Sequence, residues 1–470
     1  MAAIGTPENP LRVAIVGSGP SGFYAAGSLL KCKSHPDLVA QVDVFDRLPT
    51  PWGLVRGGVA PDHPNIKSVA RVYEKTAGHP EFRFYGNVEL GRDLAREDLA
   101  RHYHAVIYAV GAQTDRRMGI PGEDLPGSWA ATELVAWYNG HPDYRDLEFD
   151  LSAERAVVIG NGNVATDVAR MLALTRDELA ATDVADHSLE VMAESNVREI
   201  VVLGRRGPAQ AAFTNPELLE LGDMTDADII VDPGDAELDP LSRAFIESEE
   251  ASGTKKKNVK IISEYSQRVP EGKRRRIVLR FLVSPVEILG SERVEGIRIA
   301  HNELVEDETG ALRPRPTGET EEIECGLVFR SIGYRGTALE GIPFDERHAV
   351  IPNDRGRILD GDEPVAGEYV VGWIKRGPTG IIGTNKRDAQ ETVELLLEDL
   401  DAGRLPDPAD PDRDSLDALI AERRPDAVSY AGWEAIDRLE KAAGEPHGRP
   451  RVKLCSFDEL LEAAGVRVEA

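Results

Sequence analysis

The sequence is poor in cysteine, in net positive charge and in long hydrophobic runs. Its 470 residues include three cysteines, Cys32, Cys325 and Cys455, which are spaced too widely for a disulfide framework or a local zinc or iron–sulfur site. A formal net charge of −27 disfavours nucleic acids and anionic membranes, which need a cationic surface. No stretch is apolar and long enough to cross a membrane, and residues 1–10 lack the basic start and apolar core of a signal peptide. We therefore expect a cytoplasmic protein.

Two segments share one pattern, in which a short apolar run, a glycine-rich turn and an alanine-rich helical stretch follow one another. They are residues 11–30 (LRVAIVGSGPSGFYAAGSLL) and residues 155–174 (RAVVIGNGNVATDVARMLAL). A buried strand, a glycine turn and a helix in this order open a dinucleotide-binding domain. The repetition predicts two such domains.

The first glycine turn has the spacing G-x-G-x-x-G at Gly17, Gly19 and Gly22. Glycines at these positions allow a tight turn, the approach of a pyrophosphate to backbone N–H groups, and close packing of helix on strand. The next strand, residues 41–46, ends in Asp46, at the spacing of a carboxylate that binds a ribose hydroxyl. A glycine turn alone also occurs without a nucleotide, so the flanking strand, helix and acid carry the prediction. The first site is predicted to bind FAD or NAD.

The second turn repeats the pattern with Gly160, Gly162 and Ala165. Its next strand ends differently, in Arg205 and Arg206 after Gly204. Two guanidinium groups suit a dianionic 2′-phosphate, although a surface arginine pair is the alternative interpretation. The second site is therefore predicted to bind NADP, and two sites with different ribose chemistry indicate electron transfer between a flavin and NADPH.

The predicted fold class is α/β, with two Rossmann-like dinucleotide-binding domains of which the FAD domain is discontinuous. We assign residues 1–114 to the first part of the FAD domain, 115–330 to the NADP domain, and 331–470 to the second part of the FAD domain with a C-terminal extension. The strand at 369–371 precedes a glycine-rich turn at 377–385, and a helix is expected from about residue 386 to about residue 400.

Longer motifs resemble the adrenodoxin-reductase-like NADPH:ferredoxin reductases, particularly their bacterial flavoprotein members. The resemblance runs over almost the whole chain and is carried by VAIVGSGPSGFYAA (13–26), PTPWGLVRGGVAPDHPNIKSV (49–69), AVGAQTDR (109–116), VVIGNGNVATDVAR (157–170), VVLGRRGPAQAAFT (201–214) and YVVGWIKRGPTGIIGTNK (369–386). It implies an FAD domain built from both chain ends, an inserted NADP domain, and electron delivery to a small iron–sulfur protein. The segment EKAAGEPHGRPRVKL (440–454) also matches the bacterial pattern, without a role that we can assign from the sequence.

The resemblance also implies residue roles. Contacts to FAD are implied for Ser21, Asp46, Leu54, Val88, Trp373, Gly380, Ile381 and Ile382, beside the first glycine turn. Contacts to NADP are implied for Arg116, Asn161, Gly162, Asn163, Val164, Arg205, Arg206, Glu217 and Gly380. Asp46 departs from the glutamate common in the family and is shorter, and Trp373 could equally be a core tryptophan.

Two residues are candidates for a role beside the reacting rings. His63 lies between prolines in APDHP, and Glu217 follows Pro216 at the start of a predicted helix. A loop histidine is commonly structural, and a carboxylate in the first turn of a helix is favoured by the helix dipole alone. The resemblance places both in the catalytic site. We expect neither to be essential, because hydride transfer is cofactor chemistry.

The predicted function is an FAD-dependent NADPH:ferredoxin oxidoreductase that is a monomer or weak dimer. Its iron–sulfur partner must be a separate protein, because the chain lacks clustered cysteines. The alternatives are an FAD- and NADPH-binding redox sensor without ferredoxin turnover, or a different NADPH-dependent flavoprotein reductase; a disulfide reductase is disfavoured because no C-x-x-C is present. The candidate cations for docking an acidic ferredoxin are Lys375, Arg376 and the basic runs 255–257 and 273–276.

Overall fold

A computed structural model describes residues 3–466. The chain divides into two compact units. The first contains the chain up to Val59, residues His63–Thr114 and the chain from Gly333 onward, and the second contains Ala60–Asp62 and Asp115–Ile332. Each unit has its own sheet and its own hydrophobic core.

The strands of the described residues can be numbered in chain order. They are β1 (Leu11–Val16), β2 (Ala40–Asp46), β3 (Phe82–Gly86), β4 (Ala105–Tyr108), β5 (Thr114–Asp115), β6 (Ser128–Ala130), β7 (Arg155–Ile159), β8 (Glu199–Leu203), β9 (Ala227–Val231), β10 (Arg275–Arg280), β11 (Val283–Leu289), β12 (Gly296–Glu306), β13 (Leu312–Glu324), β14 (Leu327–Arg330), β15 (Tyr334–Arg335), β16 (Asn353–Asp354), β17 (Arg357–Asp360) and β18 (Glu363–Val370).

The helices can be numbered in the same way. They are α1 (Pro20–Leu30), α2 (Leu54–Gly57), α3 (Pro64–Lys67), α4 (Ala70–Ala77), α5 (Arg96–His102), α6 (Ala131–Tyr138), α7 (Asn163–Ala173), α8 (Arg176–Ala180), α9 (Asp186–Ala193), α10 (Asn215–Leu221), α11 (Pro233–Ala236), α12 (Pro240–Glu247), α13 (Gly253–Tyr265), α14 (Trp373–Arg376), α15 (Ile382–Asp401), α16 (Arg413–Arg423), α17 (Tyr430–Gly444) and α18 (Phe457–Ala463).

The first unit is built on a seven-stranded sheet in the order β16-β17-β18-β4-β1-β2-β3. The five strands from β18 to β3 are parallel, with Val13 opposite both Val42 and Ala105. All six residues of β1 are buried, as expected of a parallel strand that is covered on both faces. Helices α1 and α15 pack against each other in this unit, and their apolar side chains join the core.

The second unit contains a six-stranded sheet in the order β6-β14-β7-β8-β10-β9, all of whose neighbouring strands are parallel. Val157 lies opposite both Val201 and Val328, so the central strands are apolar on both faces. A separate antiparallel sheet, β11-β12-β13, adds a charged outer strand. Two doubly wound parallel sheets in one chain confirm the predicted fold class.

One local expectation needs correction. Helix α15 begins at Ile382, four residues before the expected start, so the end of the glycine-rich turn is already helical. The basic run 255–257 lies in the first turns of α13, and the run 273–276 leads into β10. Among residues 3–466, no helix is long and apolar enough to cross a membrane.

Candidate functional site

The first glycine turn lies directly after β1. Gly17 has φ +106°, and a Cβ there would lie 2.5 Å from the carbonyl oxygen of Ala109, so only glycine fits the turn. A Cβ at Gly22 would lie 2.1 Å from the Gly17 oxygen, whereas a Cβ at Gly19 would meet no heavy atom within 4 Å. The turn therefore packs tightly at its first and third glycines and leaves space at the second, in front of the N-terminus of α1. This is the shape that a pyrophosphate requires.

Asp46 at the end of β2 is joined to this turn. Its carboxylate accepts hydrogen bonds from the Ser18 N–H at 2.9 Å, the Ser18 hydroxyl at 2.5 Å and the Leu48 N–H at 2.9 Å. Burial raises the pKa of Asp46, and these hydrogen bonds oppose the rise. The N–H of Val88 donates to the Asp46 carbonyl at 2.9 Å. The carboxylate is thus fixed beside the glycine turn, where a ribose hydroxyl can reach it.

The segment after β2 closes over the same turn. The N–H of Trp52 donates to the Ser18 carbonyl at 3.0 Å, and Leu54 follows with its side chain 40% exposed. Trp52 has φ +86°, which is strained for a residue with a bulky side chain. Such strain persists only where the surroundings hold it, and it is common at ligand sites.

The segment after β18 reaches the same edge of the sheet. The Gly372 N–H donates to Asp388 of α15 at 2.5 Å, and Trp373 begins the short helix α14 with its ring centroid 5.1 Å from that of Tyr334. Gly380 precedes Ile381, which caps α15 and is 62% exposed. An exposed isoleucine at a helix N-terminus presents an apolar surface beside backbone N–H groups.

Several buried polar atoms of this unit lack a hydrogen-bond partner among the described residues, and four of them lie on the segments around Trp52 and Trp373. They are Nε1 of Trp52, Nε1 of Trp373, and Nε and Nη1 of Arg376. Buried donors are normally satisfied, so these point to a ligand with several acceptors. Together with the space at Gly19 and the exposed Leu54 and Ile381, they fit a flavin dinucleotide.

The second glycine turn, after β7, has the same construction. Gly160 has φ +125°, and a Cβ there would lie 2.1 Å from the carbonyl oxygen of Ser331, whereas a Cβ at Gly162 would meet no heavy atom within 4 Å. Helix α7 begins at Asn163, whose side-chain oxygen accepts from the Thr214 N–H at 2.8 Å. The Asn161 carbonyl accepts from the Ala212 N–H at 3.0 Å.

Arg205 and Arg206 follow β8 in this unit. Neither guanidinium has a hydrogen bond or ion pair to another residue of the described part of the chain, and Arg205 is exposed. Burial, followed by the positive charges of Arg205 and Arg313, lowers the pKa of Arg206; burial and Arg206 likewise lower that of Lys255. In a protein of charge −27, uncompensated cations of this kind are suited to bind an anion. Their position fits the 2′-phosphate of NADP.

Glu217, in the first turn of α10, belongs to a buried charge cluster in this unit. Its carboxylate lies 3.2 Å from Nη1 of Arg170, whose side chain is only 3% exposed. Nε of Arg170 also pairs with Asp62 at 2.6 Å, and its Nη2 pairs with Asp167 at 2.7 Å. Arg170 therefore holds several acids in fixed positions, and we call these residues the Arg170 cluster.

The structure gathers the candidate residues within each unit. In the first unit, the loops at the carboxyl ends of β1, β2, β3 and β18 carry Gly17, Gly19, Ser21, Gly22, Asp46, Leu54, Val88, Trp373, Gly380, Ile381 and Ile382. In the second, Asn161, Gly162, Asn163, Val164, Arg205 and Arg206 follow β7 and β8. Arg116 is exposed, and His63 is buried at the N-cap of α3.

One of the candidate docking cations, Lys375, is wrong. Lys375 is 8% exposed and is paired with Asp388 at 3.2 Å and Glu391 at 2.8 Å. Arg376 is half-buried and donates to Asn385 at 2.9 Å. Lys375 is therefore bound to acids of α15 and withdrawn from solvent, whereas a docking role of Arg376 stays a prediction. In the run 273–276, Arg275 is buried and donates to backbone carbonyls of the same unit.

Sequence reasoning missed four residues of these sites: Ser18, Trp52, Arg170 and Arg376. Ser18 and Trp52 lie inside motifs that we quoted, and Ser18 stands between two glycines of the turn. Arg170 carries the weakest signal, because an arginine late in a helix is usually exposed.

Comparisons with known proteins identify the family. The family described as "Pyridine nucleotide-disulphide oxidoreductase" matches residues 11–202. The NADPH-ferredoxin reductase FprA of Mycobacterium leprae is 52% identical over 458 residues, which are 97% of this chain and 98% of the relative. The mitochondrial NADPH:adrenodoxin oxidoreductase of Salvelinus fontinalis is 42% identical over 483 residues, with 98% and 92% of the two chains covered. The structure of Mycobacterium tuberculosis FprA in complex with NADPH matches with a TM-score of 0.91 at 50% identity and covers 97% of this chain and 100% of that one. The chain therefore belongs to the FprA-type NADPH-ferredoxin reductases, the bacterial branch of the adrenodoxin-reductase-like family.

Proposed function

We propose that this chain is an FAD-dependent NADPH:ferredoxin oxidoreductase. The observation that carries the proposal is the contrast between its two dinucleotide turns. One is paired with a buried carboxylate, Asp46, and the other with two uncompensated guanidinium groups, Arg205 and Arg206. A carboxylate suits a free ribose hydroxyl and repels a 2′-phosphate, whereas the arginines attract one.

The first unit is the FAD domain in this proposal, and the second is the NADP domain. Ser21, Asp46, Leu54, Val88, Trp373 and the backbone at 380–382 hold FAD. Asn161 to Val164, Arg205 and Arg206 hold NADP, with Arg116 and Gly380 as further contacts. The orphaned donors of Trp52, Trp373 and Arg376 are additional candidates on the FAD side.

Bound FAD accepts a hydride as an electron pair and releases electrons singly, which is the chemistry that links NADPH to an iron–sulfur protein. The chain's own residues bind and orient. The α1 N-terminus receives a pyrophosphate in front of Gly19, and the α15 N-terminus directs its positive end toward bound anionic groups. In this proposal Glu217, whose carboxylate lies 3.2 Å from Arg170, accepts a hydrogen bond from the carboxamide of the nicotinamide. His63 and Glu217 orient the reacting groups and are not required as proton donors.

The electron acceptor is a ferredoxin-type iron–sulfur protein. All three cysteines are free thiols and only Cys32 is partly exposed, so they cannot together ligate a cluster. The protein acts in the cytoplasm as a monomer or weak dimer. Lys256 and Lys257 of α13 remain exposed and are available to an acidic partner.

The test is anaerobic titration of the purified protein with NADPH, followed by addition of a ferredoxin. We expect the flavin absorbance to bleach with NADPH more readily than with NADH, and the added ferredoxin to become reduced. The double variant Arg205→Ala/Arg206→Ala should lose the preference for NADPH over NADH. The surface variant Arg315→Ala is its control and should keep that preference. A flavin that stays oxidised under excess NADPH would support a redox sensor instead, and bleaching without ferredoxin reduction would indicate a different flavoprotein reductase.

A further inference from the structure

We call residues 51–53 the Trp52 turn, and α17 together with residues 445–454 the C-terminal segment. A buried carboxylate of the C-terminal segment binds α2, the helical turn that follows the Trp52 turn in the first unit. Glu440 of α17 is 0% exposed and pairs with Arg56 of α2, with Arg56 Nη1 to Oε2 at 2.8 Å and Nη2 to Oε1 at 2.5 Å. Arg451 donates to Oε2 at 2.9 Å, and the N–H of Leu454 donates to Oε1 at 2.9 Å. Every contact is made within one unit, and the partners are up to 384 residues apart.

The environment keeps this carboxylate charged. Burial alone would favour the neutral acid, but the guanidinium groups of Arg56 and Arg451 hold the pKa of Glu440 below its usual range. A charge buried to this degree is tolerated only when its hydrogen bonds are satisfied. Glu440 and the two arginines therefore form a rigid connection and not a mobile surface pair.

Arg56 transmits this connection to the Trp52 turn. Its guanidinium lies 5.4 Å from the ring centroid of Trp433, and Trp433 packs edge-on against Trp52 with centroids 4.8 Å apart. Its backbone N–H donates to the Gly53 carbonyl at 3.1 Å, within the turn itself. The C-terminal segment thus contacts the turn through both a salt bridge and an aromatic pair.

The Trp52 turn in turn contacts the first glycine turn. Trp52 donates its N–H to Ser18, and a Cβ at Gly53 would lie 3.0 Å from Cα of Gly19. The φ of +86° at Trp52 shows that this arrangement is not the one that the local sequence would adopt unaided. Such strain persists where the surroundings hold it, and the C-terminal segment is in contact with this turn.

We infer that Glu440 is a positioning residue for FAD, which acts through Arg56 by holding the Trp52 turn against the first glycine turn. The inference rests on the proposed function and assigns a role to the C-terminal motif 440–454. Glu440 lies far along the chain from the first glycine turn, and we expect it to determine how tightly the flavin is retained.

The test compares Glu440→Gln with Asp399→Asn. Asp399 is a matched control because it too is a buried carboxylate of this unit, paired with Arg357 at 2.8 Å and Arg404 at 2.6 Å. It lies near the end of α15, about 25 Å along the helix axis from Ile382. FAD release is followed by the fluorescence of free flavin after dilution, and hydrogen exchange of the amides at 52–58 is measured in the protein stripped of flavin.

We expect Glu440→Gln to accelerate both FAD release and exchange at 52–58 on the order of tenfold, because it breaks a buried pair, and Asp399→Asn to change either by less than about twofold. Glu440→Asp keeps the carboxylate, so its rates of FAD release and exchange should lie between those of the wild type and those of Glu440→Gln. Equal acceleration in both variants, or unchanged release and exchange in a folded Glu440→Gln protein, would overturn the inference. If Glu440→Gln does not fold, Arg451→Gln replaces it in the test. We expect Arg451→Gln to accelerate FAD release and exchange at 52–58 as well, but by a smaller factor. A wild-type protein that binds no FAD would refute the proposed function, and the exchange measurement would still decide whether Glu440 holds the turn.

Discussion

Arg170 donates Nη1 to the carboxylate of Glu217 at 3.2 Å, and both side chains are buried in the second unit. The same guanidinium serves Asp62 and Asp167, so one cation balances several acids. The position of the Glu217 side chain therefore depends on Arg170, a residue 47 positions earlier in the chain. Arg170 thus contributes both to the stability of the unit and to the position of its candidate catalytic acid.

Replacement of Arg170 by leucine should destabilise the protein strongly. Removal of one partner of a buried pair leaves uncompensated charge and costs about 3–5 kcal/mol. Arg176→Leu is the control, since Arg176 is 54% exposed and pairs with the 62% exposed Glu190, and such a pair is worth about 1 kcal/mol or less. Urea denaturation of both variants measures the difference. Similar losses would mean that the Arg170 cluster is not a buried network in solution.

Replacement of Arg205 or Arg206 by alanine should weaken the binding of NADPH more than the binding of NADH. Each charge-assisted hydrogen bond to a phosphate is worth about 1.5–3 kcal/mol, which is roughly 10- to 100-fold in affinity. NADH lacks the 2′-phosphate, so its KM should change little. The control is Arg315→Ala, which removes a 61% exposed arginine that pairs with Glu303. A parallel rise in KM for both nucleotides would show that the arginines do not read the 2′-phosphate.

The two glycine turns and the residues after the second strands could be predicted from the sequence. These are local signals, since a turn with φ +106° at Gly17 requires glycine, and residues at the carboxyl ends of parallel strands meet at one edge. Asp46 in the first unit and Arg205 and Arg206 in the second lie at equivalent positions of the two folds, at the end of the second strand. Their opposite charges were therefore visible in the sequence as a difference in ligand.

What could not be predicted depends on partners that are distant in the sequence. The Glu440–Arg56 pair joins residues 384 positions apart, so neither residue carries a local signal. Lys375 has the composition of a surface lysine, and only the packing of α14 against α15 places it beside Asp388 and Glu391. Motifs report backbone geometry well, whereas the burial of a charge is decided by the tertiary fold.

Replacement of Lys375 by methionine should therefore act on stability and not on docking. It leaves Asp388 buried, with Arg376 at 3.8 Å as a weaker partner, and a loss of about 3 kcal/mol is expected. The KM for ferredoxin, measured below the unfolding temperature, should stay within about twofold of the wild type. Lys75→Met, at an exposed position of α4, is the control for loss of charge alone. A large rise in the ferredoxin KM with unchanged stability would restore Lys375 as a docking residue.

The three cysteines should differ sharply in reactivity. Burial raises the pKa of Cys325 to about 12 and that of Cys455 to about 11. Cys32 is partly exposed, and although burial opposes ionisation, hydrogen bonds with Ser34 and His35 lower its pKa below the usual value. Since the thiolate is the reactive form, a disulfide reagent should label one thiol quickly and the other two only on unfolding. Cys32→Ser should abolish the fast phase, and its persistence would show that a buried cysteine is accessible.

Acid should destabilise the first unit through Asp43, which is fully buried and paired with Arg83 at 2.8 Å and Arg413 at 3.3 Å. Burial opposes ionisation, but these guanidinium groups and the Tyr103 hydroxyl hold the pKa of Asp43 below its usual range. A carboxylate whose pKa is lowered by folding stabilises the native state above its unfolded pKa of about 3.9, and this stabilisation is lost as the pH falls toward the folded value. Asp43→Asn should therefore be less stable than the wild type at pH 7, and the difference should shrink as the pH falls below about 4. Urea midpoints measured between neutral and acid pH give both slopes. A difference that stays constant across the range would mean that the Asp43 carboxyl has the same pKa in the folded and unfolded states.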